Sequence, residues 1–153
     1  CATTRRLVGL TKKCCVIIKK IIIETKNILI PKITTLQRDL YNQSMSLMST
    51  SIYQNYHHQN HSYYYVSEEN YDDLRNRAAE RQVTIYNYIE TILNPYLCGN
   101  EITAADFYLY MIATWDHDRK QLFTNRPKLS ALIKELSERP SIKAVISSHS
   151  NNG

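Results

Sequence analysis

Residues 97–115 read LCGNEITAADFYLYMIATW, and this stretch decides the fold. Gly99 supplies a residue that accepts positive φ just after a predicted helix end. Thr103 and Asp106 then form a predicted capping box, in which the Thr103 hydroxyl accepts from the amide of Asp106 and the Asp106 carboxylate accepts from the amide of Thr103. An acidic side chain in the first turn also suits the helix dipole. The pattern therefore predicts that a helix begins here.

Apolar side chains cover this predicted helix on almost every side. Ile102 before the box and Phe107 after it stand at the positions of a hydrophobic staple, and residues 107–113 read FYLYMIA without a charged residue. A helix that is apolar all round is a buried central helix, and this one is too short to span a bilayer. We predict a structural role for Asp106, in capping rather than in catalysis.

Length and composition indicate one domain. A chain of 153 residues can bury a real core, and three glycines disfavour a turn-rich all-β fold. The formal net charge of +5 permits binding to nucleic acid or to an anionic membrane but does not require it. We expect a single domain over residues 1–153 and no nucleic-acid partner.

Cysteine usage favours a reduced compartment. The four cysteines include no CxxC pair, which argues against both a zinc site and a secreted disulfide framework; they are Cys1, Cys14, Cys15 and Cys98. The apolar stretch near Val16 is broken by Lys19 and Lys20, so it is not a signal peptide. We expect a cytoplasmic protein without a membrane span. The first residue is Cys rather than Met, which suggests a piece of a longer protein or a removed start.

The first part of the chain is basic and amphipathic. From Thr4 to Lys26, lysines recur seven residues apart while isoleucines line another face. The Ile21-Ile22-Ile23 run also has high strand propensity, so periodicity alone leaves the choice between helix and strand open. This segment is interpreted as a core helix with a lysine-covered back, with a membrane-surface helix or a cleft wall as alternatives.

Residues 41–66 have an unusual composition. They contain no Asp, Glu, Lys or Arg and many Ser, Tyr, Asn, Gln and His residues. Such a tract offers little aliphatic surface to offset chain entropy. It is predicted to be a low-complexity loop or insertion, and residues 147–153 are predicted to be a frayed tail.

The rest of the chain shows helical patterns. From Ser67 to Leu93, apolar residues recur at three- and four-residue steps, and Asn94-Pro95 stops the pattern; the predicted stripe is Tyr71, Leu74, Ala78, Ile85, Tyr88 and Ile92. Arg126-Pro127 and Arg139-Pro140 each place Pro at a helix start. The fold class is therefore all-α, a helical bundle.

Three groups of residues have side chains of the types used in metal binding or catalysis. His57, His58 and His61 would share a helix face and bind a metal ion only if the tract were helical, so we interpret them as loop residues and expect no metal site. Asp116-His117-Asp118 is interpreted as a solvated helix end. The thiols of Cys14 and Cys15 would be reactive if the nearby lysines lowered the thiol pKa, yet packed or idle thiols are the simpler interpretation.

One family shares these motifs. The string Tyr96-Leu97, Gly99, Ile102-Thr103-Ala104-Ala105-Asp106 and Tyr108-Leu109, followed by Arg139-Pro140-Ser141-Ile142, resembles the all-helical C-terminal domain of glutathione S-transferases, above all the bacterial forms. The likeness is good from about Ser67 to Ile146. It favours a helix for residues 4–26, because a long helix opens that domain.

The resemblance implies that two domains have different roles in the enzyme. In that family the helical domain supplies one wall of the hydrophobic-substrate site and much of the dimer interface, while a thioredoxin-like domain supplies most glutathione contacts and the activating residue. No such second domain can be located in this chain, so we expect no catalytic residue and no cofactor here. Glutathione is the expected co-substrate when the missing domain is present. The candidate substrate-binding residues are Leu10, Cys14, Ile18, Tyr108 and Trp115.

The expected partners follow from this division. The resemblance implies a thioredoxin-like domain, either in cis or on a partner protein, and permits a homodimer. On this interpretation the chain alone is not catalytically competent. Two alternatives stay open: a stand-alone protein-protein interaction module of the same helical type, and a membrane-surface protein that binds through residues 4–26.

Overall fold

The structure, a computed structural model, describes residues 29–150, and the side chains of residues 29–148. The elements in chain order are α1 (Leu36–Leu47), a π-helical turn (Met48–Ile52), α2 (Tyr53–Asn60), 3-10 turns at Ser62–Tyr64 and Glu68–Asn70, α3 (Tyr71–Ile92), α4 (Ala104–Ala113), α5 (Arg119–Thr124), α6 (Pro127–Glu138) and α7 (Pro140–Ser150). Within this range no strand forms, and Tyr96 and Gly99 make an isolated bridge. The all-α prediction is confirmed.

The prediction of a loop over residues 41–66 is wrong. The chain stays helical from Leu36 to Asn60 with one π-helical turn at its centre. Met48, Ile52 and Tyr56 recur every four residues and are all buried, so tertiary packing of this stripe outweighs the low helix propensity of the tract. The part without α-helix is short and lies at residues 61–67, where Ser62–Tyr64 form a 3-10 turn.

The longest helix, α3, buries Ala78 and Ile85 of the predicted stripe but exposes Tyr88, because its inward face is centred nearer to Tyr86 and Ile89. Tyr86 and Ile89 are buried, whereas Tyr88 is 44 % exposed. A 3-10 turn precedes the helix, and the Ser67 hydroxyl donates to the Glu69 carboxylate at 2.6 Å instead of capping the backbone. The buried face of α3 packs against α2 on one side and α6 on the other.

Helix α4 occupies the centre. Leu109, Ile112 and Ala113 are each 0 % exposed, and α4 packs against α1 and α6. Gly99 adopts φ 110 in the turn before it, as predicted for a position that only glycine adopts at low cost. The prediction of a buried central helix is therefore confirmed.

The C-terminal helices begin at their prolines. Pro127 opens α6, which buries Leu129, Leu132 and Leu136, and Pro140 opens α7. The prediction of a frayed tail from residue 147 is wrong at its start, because α7 continues to Ser150. Between α4 and α6, residues 116–125 contain the short helix α5.

Other expectations fall on residues that the structure does not describe. The basic amphipathic segment, Thr4 to Lys26, lies outside the described residues. Among the helices described, none has the length and apolar content needed to cross a bilayer.

Candidate functional site

The start of α4 is organised by one buried carboxylate. Asp106 Oδ2 accepts from the Thr103 amide at 2.8 Å and from the Thr103 hydroxyl at 3.0 Å, within a capping box. Asp106 Oδ1 accepts from the Leu97 amide at 2.9 Å. This second role ties the turn before the helix to the helix itself and has no counterpart in a local capping pattern.

Burial sets the protonation of this group. Desolvation raises the pKa of Asp106, while the hydrogen bonds from Leu97 and Thr103 lower it, and the net shift is upward. The side chain is 0 % exposed, so no substrate reaches it. Its role is therefore structural.

The residues of the predicted staple lie in the core. Phe107 is buried and Ile102 packs against the same core from the side. The Arg139 guanidinium lies 5.7 Å from the centre of the Phe107 ring, an arrangement that favours a cation–π contact. A direct contact between Ile102 and Phe107 stays a prediction.

The five candidate substrate-binding residues divide into two groups. Leu10, Cys14 and Ile18 lie outside the described residues. Tyr108 lies in α4 and Trp115 in the turn that follows it, and both are partly buried against the core. A substrate cleft lined by both residues stays a prediction.

Trp115 lies within an aromatic surface formed with α2 and the 3-10 turn that follows it. Its ring meets the Tyr53 ring edge-on at a centroid distance of 5.8 Å. Tyr53 stacks on His57 at 6.4 Å, and His57 stacks on Tyr64 at 6.1 Å. We call Tyr53, His57, Tyr64 and Trp115 the aromatic surface. It offers flat, weakly polar faces that suit an apolar or aromatic ligand.

A buried hydrogen-bonded triad lies beneath this surface. The Tyr56 hydroxyl donates to Asp116 Oδ2 at 2.9 Å and lies 3.1 Å from the Tyr86 hydroxyl. Burial is the main cause that raises the pKa of Tyr56 and of Tyr86. Both hydroxyls therefore stay protonated at neutral pH and serve as links between α2, α3 and the segment after α4.

This triad corrects the sequence interpretation of Asp116. The residue is not part of a solvated helix end, since it is partly buried and accepts from Tyr56. His117 Nε2 lies 2.9 Å from Asn60 Oδ1, and Asp118 accepts from the Gln121 amide at 2.9 Å as the N-cap of α5. Tyr56 and Asp116 are 60 positions apart, so no local pattern could pair them.

A cavity of about 510 Å³ lies on another side of the domain. Its lining includes Ile30, Pro31, Thr35, Cys98 and Thr103. Burial raises the pKa of the Cys98 thiol, which keeps the sulfur protonated and unreactive at neutral pH. The cavity therefore holds no activated nucleophile from Cys98.

The described part of the chain lacks a clustered metal centre. Between residues 29 and 148, no group of three or more His, Cys, Asp or Glu side chains could hold a metal ion. The features that remain are an aromatic surface, a buried triad and a capped central helix.

Comparison with known proteins supplies the family context. The profile of the family described as "Glutathione S-transferase, C-terminal domain" matches residues 54–149. This match begins at the second residue of α2, ends within α7 and includes His57, Tyr64 and Trp115 of the aromatic surface. No curated protein sequence matches the chain.

Solved structures share the fold. A glutathione transferase homologue from Sulfitobacter, with bound glutathione, superposes with a TM-score of 0.70 at 17% identity and covers 79% of this chain and 59% of its own. The bacterial glutathione transferase BphK, in a ternary complex, gives 0.67 at 18%, covering 78% and 58%. A transferase from Phanerochaete chrysosporium with oxidized glutathione gives 0.65 at 16%, covering 84% and 60%. The chain thus spans about 60% of the length of these transferases.

Proposed function

Because the chain belongs to the glutathione S-transferase C-terminal domain family, we propose that it is the helical part of a glutathione transferase. The observation that carries the proposal is the family match over residues 54–149. In this proposal the chain works with a thioredoxin-like domain, in cis or on a partner protein. That domain binds glutathione as the co-substrate, and this chain supplies no catalytic residue.

The proposed task of the chain is to bind the hydrophobic electrophile. The rings of Trp115 and Tyr53, 5.8 Å apart and edge-to-face, support this role because an aromatic pair gives a rigid apolar wall. Tyr108 extends the proposed wall along α4, and Leu10, Cys14 and Ile18 complete it from the N-terminal segment. Holding the electrophile against the glutathione thiolate lowers the entropic part of the barrier.

Two further features belong to the proposal. A homodimer would place part of the helical bundle at a subunit interface, as the family resemblance implies. A cytoplasmic location suits a cysteine pattern without disulfide spacing and a chemistry that depends on reduced thiols.

The first experiment measures the intact mass of the endogenous protein, captured by antibody from its own cells. We expect a product heavier than the 17.9 kDa of this chain by about one small domain. The captured protein should then conjugate glutathione to an aryl halide. A product of 17.9 kDa without conjugating activity would overturn the proposal and leave the stand-alone interaction module, which no described feature now favours.

A substitution tests the proposed wall in the whole protein. Trp115→Ala removes the ring that meets Tyr53, so we expect KM for the aryl halide to rise about tenfold while KM for glutathione changes little. Tyr88→Ala is the matched control, because Tyr88 is a 44 % exposed aromatic residue on α3. Equal effects on both Michaelis constants would place Trp115 outside the electrophile site.

A further inference from the structure

Two imidazoles meet at the C-terminal turn of α2. The ring centroids of His57 and His61 lie 4.7 Å apart, with the planes tilted by 50°. We propose that His57 and His61 form a bidentate site for a divalent transition metal ion of the imidazole-binding class, Ni²⁺, Cu²⁺ or Zn²⁺. The proposal is independent of transferase activity.

The distance between the two rings matches a shared metal ion. A metal ion ~2.0–2.1 Å from an imidazole nitrogen lies roughly 3.2 Å from the ring centre. Two such rings at the angles of square or tetrahedral coordination then have centres roughly 4.5–5.2 Å apart. The observed 4.7 Å falls inside this window. The four-residue spacing of His57 and His61 at the end of a helix brings the rings together, which a loop over residues 41–66 would not do.

Tyrosine hydroxyls orient both rings. His57 Nδ1 lies 2.8 Å from the Tyr65 hydroxyl, and His61 Nδ1 lies 3.1 Å from the Tyr63 hydroxyl. When each Nδ1 carries the proton and donates it to the tyrosine oxygen, each Nε2 presents its lone pair. Metal-binding histidines are held in this way by an acceptor at the second ring nitrogen.

The neighbouring histidine is already engaged. His58 Nε2 lies 2.9 Å from the Gln54 side-chain amide, and its ring meets the Tyr65 ring edge-on at 4.5 Å. The proposed site therefore has two protein ligands, which agrees with the lack of any three-ligand group among the described side chains. Water or a small anion would complete the coordination.

The tract that carries the two histidines has no basic side chain other than histidine. Residues 41–66 include no lysine or arginine, so no positive side chain of this tract opposes the ion. His57 and His61 are both partly exposed, which leaves a path for the metal. The Tyr64 ring lies 6.1 Å from His57 and 5.9 Å from His61 and covers one side of the pair.

The test is a calorimetric titration of the untagged protein with Ni²⁺ alone. We expect one site whose affinity falls at least about tenfold in His57→Asn and in His61→Asn. Tyr65→Phe, which removes the orienting hydroxyl, should weaken binding by about tenfold. His58→Asn is the matched control and should keep the wild-type affinity, because His58 Nε2 faces Gln54.

A second measurement needs no variant. Bound Ni²⁺ is paramagnetic and should broaden the imidazole NMR signals of His57 and His61 before those of His58 and His117. Unchanged affinity in both His57→Asn and His61→Asn, or broadening that begins at His58 or His117, would overturn the proposal. Far-UV circular dichroism of each variant checks that α2 still forms.

Discussion

One carboxylate links the two sides of the turn that precedes α4. Asp106 accepts from the amides of Leu97 and Thr103 at 2.9 and 2.8 Å and is 0 % exposed. Asp106→Ala removes a helix cap, worth about 0.5–2 kcal/mol, and leaves the Leu97 amide buried without an acceptor, worth about 1–3 kcal/mol. We expect the free energy of unfolding to fall by about 2–4 kcal/mol in urea titrations.

A carboxylate in a similar helical position provides the control for Asp106→Ala. Asp39 lies in the first turn of α1 and is exposed, so Asp39→Ala should cost less than about 1 kcal/mol. Similar losses of unfolding free energy in the two variants would mean that Asp106 stabilises the fold only through the helix dipole. Its buried hydrogen bonds would then contribute nothing.

The raised pKa of Asp106 predicts that the stability of the fold depends on pH. Burial raises the pKa of Asp106 above 3.8, its value in an unfolded chain, more than the amides of Leu97 and Thr103 lower it. A carboxyl group with a raised folded pKa stabilises the fold most below its unfolded pKa, and this contribution is lost as pH rises through the folded pKa. The stability of the wild type minus that of Asp106→Asn should therefore decrease from pH 4 to pH 7. An increase over this range would show that hydrogen bonding outweighs desolvation.

At the scale of the element, a side chain of α3 caps the N-terminus of α6. The Glu90 carboxylate accepts from the amides of Lys128 and Leu129, both at 2.9 Å, at the start of α6. Glu90→Ala should lower the free energy of unfolding by about 0.5–2 kcal/mol in urea titrations, as the loss of an N-cap does. Glu80→Ala, an exposed change on the same helix, should stay within about 0.5 kcal/mol. Equal losses would contradict a capping role for Glu90.

Sequence separation decides which of these features could be predicted. Thr103 and Asp106 are three positions apart, and the proline starts of α6 and α7 are local, so helix signals show them. Glu90 and Lys128 are 38 positions apart and Tyr56 and Asp116 are 60 apart. Such pairs follow only from the packing of α3 on α6 and of α2 on the segment after α4, which no period in the sequence encodes.

The helix over residues 36–60 shows a second limit. The composition of residues 41–66 predicts a low-complexity loop or insertion, yet Met48, Ile52 and Tyr56 lie four positions apart and are buried. That spacing was the available signal, and polar neighbours with weak helix propensity masked it. The π-helical turn at Met48–Ile52 shifts the register by a fraction of a turn, which a regular helical period does not anticipate.

At the scale of the molecule, one core runs through most of the described chain. It extends from Leu29 to Ile142 and includes buried residues of the π-helical turn and of every helix from α2 to α7. A contiguous core without an internal boundary favours a single cooperative transition. The aromatic surface rests on this core, because Trp115 packs against it and its ring meets that of Tyr56, which is buried within it. The proposed electrophile wall therefore depends on the integrity of helices that lie far from it in sequence.

This dependence predicts a long-range effect of a core substitution. Ile142 in α7 is 2 % exposed, so Ile142→Ala should cost about 2–5 kcal/mol and lower Tm by roughly 5–20 °C. The chain has one tryptophan, so the fluorescence of Trp115 reports on the aromatic surface while far-UV circular dichroism reports on all helices. We expect both transitions to shift together, whereas Ile33→Ala, at a 76 % exposed isoleucine, should leave Tm nearly unchanged. A fluorescence midpoint that stays in place while the circular dichroism midpoint falls would show that the aromatic surface and the C-terminal helices unfold as separate units.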